Sequence, residues 1–178
     1  SCGTATAVSV PCMFSNMGRK EFDDNRARNS EGLLDVLQKT GISIFWKEND
    51  GGCKGVCDRV PNIEIKPKDH PKFCDKNTCY DEVVLQDLDS EIAQMKGDKL
   101  VGFHLIGSHG PTYYKRYPDA HRQFTPDCPR SDIENCTDEE LTNTYDNTIA
   151  YTDHILGRII DTLKGQDDRY QTVMVYAS

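Results

Sequence analysis

Residues 30–46 read Ser30-Glu-Gly-Leu-Leu-Asp-Val-Leu-Gln-Lys-Thr-Gly-Ile-Ser-Ile-Phe-Trp46 and predict a helix that leads directly into a buried strand. Leucines recur at helical spacing between residues 33 and 37, and Gly41 is a typical helix stop. The apolar run Ile42–Trp46 then predicts a short strand. A helix, a glycine and a buried strand in succession indicate an α/β fold.

The rest of the chain continues this alternation. Tyr80–Met95 has the pattern of an amphipathic helix, and Leu100–Ile106 is apolar except for His104, as buried parallel strands mostly are. A capping box predicts a helix over 137–163, and Thr172–Ala177 predicts a last strand. We expect His104 to be satisfied within the sheet rather than to bind a ligand. The fold class is therefore α/β, with a mostly parallel sheet flanked by helices. The predicted core stripe of the 137–163 helix is Leu141, Tyr145, Ile149, Thr152, Ile155, Leu156, Ile159 and Leu163.

Composition excludes some classes of protein. The 178 residues are 37% hydrophobic and 28% charged, which is ordinary for one globular domain. The formal charge is −8, so we expect no nucleic-acid partner. No apolar run approaches the ~18 residues of a membrane span.

Eight cysteines fall into four close pairs, which predicts four local disulfides and an oxidising compartment. Each short loop would contribute roughly 2–3 kcal/mol in the chain-entropy model. The competing interpretation is a zinc site with the four thiolates of residues 53, 57, 74 and 79. The predicted pairs are Cys2–Cys12, Cys53–Cys57, Cys74–Cys79 and Cys128–Cys136.

The opening segment Ser1–Phe14 reads as a turn followed by a short helix. Thr4 or Thr6 is suited to cap its first N–H groups, and Pro11 should end or kink it. Helix N-termini attract phosphate, so a threonine there is well placed to meet a phosphoryl group. From these residues alone, capping and a functional role both stay open.

Four stretches together resemble the lipid A phosphoethanolamine transferases, which include the chromosomal and mobile colistin-resistance enzymes. The first is Ser1–Phe14, Ser-Cys-Gly-Thr-Ala-Thr-Ala-Val-Ser-Val-Pro-Cys-Met-Phe. The others are Gly52-Cys-Lys-Gly-Val-Cys-Asp-Arg59, Gly107-Ser-His-Gly-Pro-Thr-Tyr-Tyr-Lys-Arg-Tyr117 and Asn143-Thr-Tyr-Asp-Asn147. The resemblance implies a partial alkaline phosphatase/sulfatase-like fold. It also implies that residues 1–178 are part of a single periplasmic catalytic domain, with a transmembrane domain and the C-terminal part of the catalytic domain absent.

The resemblance also assigns roles to single residues. Thr6 matches the family's nucleophile, which is also a zinc ligand. His109 matches an active-site histidine near the substrate phosphoryl group or a second zinc. Lys54 matches a lysine that contacts the substrate, whereas Thr4 and Asp50 are further substrate-binding candidates, Asp50 for the ammonium group. The other zinc ligands of the family lie upstream and downstream of the matched segments, so Zn²⁺ would need ligands from outside this chain.

The implied reaction moves phosphoethanolamine from phosphatidylethanolamine to Thr6 and then to a lipid A phosphate. The added ammonium lowers the negative charge of the surface, which weakens the action of cationic peptides such as polymyxin. The implied location is the bacterial inner membrane, with this domain facing the periplasm and the membrane reached through a missing N-terminal domain. Two alternatives stay open. One is transfer to another acceptor, such as Kdo or heptose, or a sulfatase-like hydrolysis, and the other is a disulfide-stapled binding module without chemistry.

Overall fold

The computed structural model describes residues 2–178, which form two units. The first unit holds the residues up to Lys66 together with Ser90–Leu105. The second unit holds Pro67–Asp89 and Ile106–Ser178. None of the helices within residues 2–178 combines the length and the apolar character that a membrane crossing needs.

A three-stranded parallel sheet organises the first unit. Its strands are β1 (Ser43–Glu48), β2 (Asn62–Glu64) and β3 (Lys99–His104), in the order β2-β1-β3. The register pairs Glu48 with His104, so the last residues of β1 and β3 lie side by side. The neighbouring pair, Trp46 and Gly102, needs the glycine because an added Cβ would lie 2.5 Å from the indole ring.

Three helices precede the sheet in the chain: α1 (Thr6–Phe14), α2 (Asp24–Arg28) and α3 (Leu33–Lys39). The carboxylate of Asp23 caps α2 by accepting from the N–H of Arg26 at 2.7 Å. Helix α4 (Leu88–Gln94) follows the long irregular segment. The buried cluster of this unit is Leu34, Ile44, Trp46, Cys53, Cys57 and Val60.

Helix α5 (Asp138–Lys164) is the main element of the second unit. Its capping box is formed, because Thr137 accepts from the N–H of Glu140 while the Glu140 carboxylate accepts from the N–H of Thr137. The buried face of α5 is more polar than predicted. Tyr145 and Ile149, which were predicted to face the core, are 46% and 48% exposed. The buried residues are Thr144, Asn147, Thr148, Tyr151, Ile155 and Ile159.

All four disulfides expected from the cysteine spacing are present. They join Cys2 to Cys12, Cys53 to Cys57, Cys74 to Cys79 and Cys128 to Cys136, with Cα–Cα distances of 4.0–5.9 Å. The competing four-thiolate zinc site is therefore wrong, because its sulfurs are bonded in pairs.

Two helix predictions need correction. Pro11 does not end α1, which continues through it to Phe14; the disulfide from Cys12 to Cys2 holds the turn after the proline. The missing N–H removes only one intrahelical bond. The predicted helix over Tyr80–Met95 is interrupted at Asp87, whose φ of 61° is left-handed, and a 3₁₀ turn over Asp81–Leu85 precedes α4.

The strand predictions are correct for β1 and β3 but wrong for Thr172–Ala177. That segment pairs with no described strand, and Val173 and Val175 are 86% and 88% exposed. An apolar extended run becomes a strand only when another backbone pairs with it. The third strand of the sheet is instead β2, three residues for which the sequence predicted no strand.

Candidate active site

Thr6 is the first residue of α1, and its side chain is half-buried. Ala5 occupies the N-cap position and makes no side-chain capping bond. Neither Thr4, which is exposed, nor Thr6 caps the helix, so that interpretation is wrong. Within residues 2–178 the Thr6 hydroxyl has no hydrogen-bond partner. It therefore stands next to the N–H groups of the first turn, which carry partial positive charge.

Lys54 lies on a loop of the first unit that the Cys53–Cys57 disulfide closes. Its Nζ donates to the carbonyl oxygens of Gly51 at 2.9 Å and Asp50 at 3.3 Å. Its φ of 55° is left-handed, a conformation that costs a non-glycine residue about 1 kcal/mol or more. The loop therefore holds a strained lysine. Its ammonium contacts only neutral carbonyl oxygens within the described part of the chain, and such a charge suits an anionic group.

The loop also lies against the later turns of α1. Pro11 and Phe14 line one small cleft together with Lys54 and Gly55. Since a helix rises 1.5 Å per residue, Thr6 lies about 7 Å back along the axis from Pro11. The first unit thus brings the Lys54 loop and the Thr6 helix together.

Asp50, Glu48 and His104 form a cluster at the carboxyl ends of β1 and β3. The Nδ1 atom of His104 lies 2.8 and 2.9 Å from the two carboxylate oxygens of Glu48, and its Nε2 lies 3.6 Å from Oδ2 of Asp50. The Nε1–H of Trp46 and the backbone N–H of Asp50 also donate to Glu48, at 3.1 and 2.7 Å. His104 is thus satisfied at the sheet edge, as expected.

The electrostatics of Glu48 follow from these bonds. Glu48 is only 2% exposed, and burial by itself raises the pKa of a carboxyl group. The hydrogen bonds from His104, Trp46 and the Asp50 N–H outweigh that effect, so the pKa of Glu48 is lowered overall. Glu48 is therefore a buried carboxylate held in its charged form.

His109 lies in the second unit, on the segment that follows β3 in the chain. Its side chain is exposed, and its Nδ1 lies 2.8 Å from the carbonyl oxygen of Gly110. A carbonyl only accepts, so Nδ1 must carry the proton of this bond. The Nε2 atom is then the ring nitrogen that carries the lone pair of the neutral ring.

Two buried charged groups fix the His109 segment. The carboxylate of Asp81 accepts from the N–H groups of Ile106 at 2.9 Å and Gly107 at 2.8 Å. The Nε–H of Arg116 donates to the carbonyl of His109 at 2.7 Å. Asp81 and Arg116 are 3% and 7% exposed, so these contacts are shielded from water. The histidine thus lies on a rigid support.

The residues described here do not by themselves make a zinc site at Thr6. In residues 2–178, one group places three potential ligand atoms within 4.8 Å, namely Cys53, Cys57 and Asp58. Its two sulfurs are bonded to each other and cannot ligate. Thr6 offers one oxygen, whereas catalytic zinc takes three protein ligands.

Glu48, Asp81 and Arg116 were not predicted from the sequence as site residues. Glu48 had a detectable signal, because it follows the predicted strand Ile42–Trp46 by two residues and precedes Asp50 by two. The signal for His104 as its partner appears only once the parallel register is known. Arg116 lies in the motif Gly107–Tyr117 but its motif gave it no role, and Asp81 carried no signal, because a buried charge on an irregular segment follows no sequence periodicity.

The profile of the sulfatase family matches residues 1–178, which is the whole chain. The chain belongs to the sulfatase family. The predicted alkaline phosphatase/sulfatase-like fold is thereby confirmed, with β1, β2 and β3 as the part of its parallel sheet found in this chain.

Two curated members of this family are close in sequence. The chain is 51% identical over 178 residues to phosphoethanolamine transferase EptA of Salmonella typhimurium, covering all of this chain and 32% of that protein. It is 38% identical over 185 residues to phosphatidylethanolamine transferase Mcr-1 of Escherichia coli, covering all of this chain and 34% of that protein. The chain therefore spans about a third of the length of the curated relatives it matches.

Solved structures of similar fold are consistent with this family assignment. The integral membrane protein lipooligosaccharide phosphoethanolamine transferase A of Neisseria meningitidis is 44% identical, with a TM-score of 0.91 over 94% of this chain and 31% of that one. The periplasmic domain of EptC from Escherichia coli, determined in complex with zinc, is 22% identical with a TM-score of 0.70. That likeness covers 90% of this chain and 46% of the other, and it concerns the fold alone.

Proposed function

We propose that the chain is part of a periplasmic catalytic domain that transfers phosphoethanolamine from phosphatidylethanolamine to a phosphate of lipid A. The observation that carries the proposal is the hydroxyl of Thr6 on the first turn of α1, which is half-buried and has no hydrogen-bond partner among residues 2–178. The family match over residues 1–178 and the similarity to EptA and Mcr-1 support it. The modified lipid A would carry less negative charge, so polymyxin would bind it more weakly.

In the first half-reaction, Oγ of Thr6 attacks the phosphorus of phosphatidylethanolamine. A bond forms between Oγ and phosphorus, the hydroxyl proton of Thr6 passes to solvent, and the bond between phosphorus and the diacylglycerol oxygen breaks. His109 is the proposed acid, giving its Nε2 proton to the departing diacylglycerol oxygen. The N–H groups of the first turn of α1 stabilise the charge that develops on the non-bridging phosphoryl oxygens.

In the second half-reaction, a phosphate oxygen of lipid A attacks the phosphorus held on Thr6. A bond forms between that oxygen and phosphorus while the bond from phosphorus to Oγ breaks. Thr6 and Nε2 of His109 then each take up a proton from solvent, so the enzyme returns to its starting state. Two half-reactions on one nucleophile divide one difficult displacement into two easier ones.

Three further residues are the proposed substrate contacts. Lys54 pairs with the phosphate of the donor, since among residues 2–178 its ammonium donates only to carbonyl oxygens of its own loop. The carboxylate of Asp50 receives the ammonium group of ethanolamine. Thr4, exposed two residues before Thr6, offers a hydroxyl to a phosphoryl oxygen.

Zinc is the proposed cofactor, with Thr6 as one ligand and the others from outside residues 1–178. Zinc lowers the pKa of an oxygen that it binds, which would make the threonine hydroxyl a better nucleophile. The metal dependence of the sulfatase family supports this choice. A neighbour with the same fold was determined with zinc, which makes zinc the first metal to test.

The proposed location is the inner membrane, with this domain in the periplasm. Four disulfides suit an oxidising compartment, and a relative is an integral membrane protein. The membrane would be reached through an N-terminal domain outside this chain.

Replacement of the nucleophile in the full-length protein tests the proposal. Thr6→Ala should abolish lipid A modification, whereas Thr6→Ser, which keeps a hydroxyl, should retain part of it. Thr40→Ala is the matched control, because its hydroxyl bonds only the carbonyl of Leu37 at the end of α3. Mass spectrometry of lipid A measures the product. Near-normal modification by Thr6→Ala would show that Thr6 is not the nucleophile.

A further inference from the structure

The imidazole of His104 lies between the carboxylates of Glu48 and Asp50, and these two carboxylates are held differently. The carboxylate of Glu48 is fixed, because it is buried and also accepts from the Trp46 indole and the Asp50 N–H. A carboxylate only accepts, so the Nδ1–H of His104 donates to Glu48. This bond sets the plane of the ring and with it the direction of Nε2.

The carboxylate of Asp50 is held by fewer contacts and can change its orientation. It stands at the start of a loop in which Gly51 and Gly52 both have positive φ, of 70° and 100°. Within residues 2–178 the Nε2 atom of His104, 3.6 Å away, is the one recorded contact of its side chain. Its carboxylate keeps an oxygen, Oδ1, with no protein partner, and the side chain is 15% exposed. Asp50 can therefore receive a ligand while it stays in contact with His104.

The geometry of the ring joins the two carboxylates. Nδ1 is hydrogen-bonded to Glu48, and Nε2 lies 3.6 Å from Oδ2 of Asp50, which is an ion-pair distance rather than a direct hydrogen bond. His104 then bridges the buried carboxylate to the loop carboxylate and fixes the orientation of the latter.

We infer that His104 is a positioning residue: anchored by Glu48, it orients the carboxylate of Asp50 towards a primary ammonium group. The site therefore prefers ethanolamine headgroups to choline headgroups. A primary ammonium has three N–H donors for an oriented carboxylate, whereas a quaternary ammonium has none. The inference rests on the proposed function, because it takes phosphoethanolamine as the ligand.

Two substitutions test the roles of Nδ1 and Nε2 of His104 separately. The amide nitrogen of asparagine is as many bonds from Cα as Nδ1, so His104→Asn keeps the donor to Glu48 and loses the group that faces Asp50. The amide nitrogen of glutamine is as many bonds from Cα as Nε2, so His104→Gln keeps a donor towards Asp50. His70→Asn is the control, since the Nδ1 of His70 faces the neutral side chain of Gln86.

The full-length protein is titrated with phosphoethanolamine and phosphocholine by calorimetry, and transfer from phosphatidylethanolamine is measured in parallel. We expect wild type and His70→Asn to prefer phosphoethanolamine. His104→Asn should lose about tenfold of that preference, the size of one charge-assisted hydrogen bond, whereas His104→Gln should keep most of it. In the transfer assay His104→Asn should raise the KM for the donor more than it lowers kcat.

The possible results separate this inference from the proposed function. Equal preference in His104→Asn and wild type, or equal loss in both His104 variants, would overturn the role of Nε2. A wild type without preference for phosphoethanolamine would overturn the inference as well. A wild type that shows the preference and loses it in His104→Asn, but transfers nothing to lipid A, would sustain the inference and refute the proposed function.

Discussion

Replacing Glu48 by glutamine is the perturbation whose effect on stability follows most directly from the structure. Glu48 is 2% exposed, and its oxygens accept from the Asp50 N–H, the Trp46 Nε1–H and His104. An amide keeps one accepting oxygen, and its NH₂ group must then face the N–H of Asp50 or that of Trp46. Either orientation leaves a buried donor unpaired.

The expected cost is the sum of two effects. An unpaired buried donor costs about 1–3 kcal/mol, and loss of the negative charge weakens the remaining bond to His104. We therefore expect Glu48→Gln to lower the free energy of unfolding by roughly 2–4 kcal/mol at pH 7. Glu21→Gln is the control, since that side chain is exposed and has no recorded partner in the described part of the chain.

The sign of the pH dependence is fixed by the lowered pKa of Glu48. A carboxyl group whose pKa is lower in the folded state stabilises the protein above its unfolded pKa, and this stability is lost as the pH falls through the folded pKa. The difference between wild type and Glu48→Gln should therefore be full at pH 7 and shrink below about pH 4, near the ordinary pKa of glutamate.

Hydrogen exchange of the full-length protein, read by mass spectrometry on peptides that span β1, measures this difference. The peptides should exchange about 30-fold faster or more in Glu48→Gln at pH 7, following from the expected loss of stability. Equal exchange in Glu48→Gln and Glu21→Gln would refute the reasoning. So would a difference that grows as the pH falls.

The other predictions concern the loops that carry the proposed site. Lys54→Gly removes the ammonium but relieves a left-handed φ of 55°, so transfer should fall while the melting temperature stays the same or rises; a parallel fall in both would return Lys54 to a structural role. His109→Ala should lower kcat without lowering the melting temperature, and full activity would exclude it as the acid. Asp81→Asn leaves one of the N–H groups of residues 106 and 107 facing an amide NH₂. It should lower the free energy of unfolding by about 1–3 kcal/mol and also lower kcat, as measured by thermal unfolding and kinetics. An unchanged kcat would show that the support of the His109 segment does not matter for transfer.

The elements with a strong period were predictable from the sequence. The helix and strand at residues 30–46, the strand at Leu100–Ile106 and the capped helix α5 are present close to their predicted bounds. In each, apolar spacing and end signals agree. The cysteine pairs were equally predictable, because short separations leave few alternatives.

The failures in the strands and in the buried face of α5 share one cause, namely dependence on residues distant in sequence. The segment Thr172–Ala177 has the composition of a strand but no described pairing partner, and β2 has almost no apolar signal but pairs with β1. The polar stripe of α5 is buried because other backbone groups bond to it. For example, Thr144 accepts from the N–H of Cys128, and Asn147 from that of Gln123.

The candidate site divides in the same way. Thr6, Lys54 and His109 were indicated by motifs, because the chemistry needs those residue types at those places. The Glu48–His104–Asp50 cluster was not, because a parallel register joins residues 56 positions apart. Sequence thus indicated the candidate reacting groups, whereas the groups that orient them required the fold.

The most direct test of the account is detection of the covalent intermediate. The full-length protein is incubated with phosphatidylethanolamine without acceptor, quenched in acid, digested and analysed by peptide mass spectrometry. We predict that phosphoethanolamine is found on Thr6 and disappears from that peptide when lipid A is added before the quench. Modification of a different residue, or normal transfer to lipid A with no modified Thr6 at any time, would contradict the account.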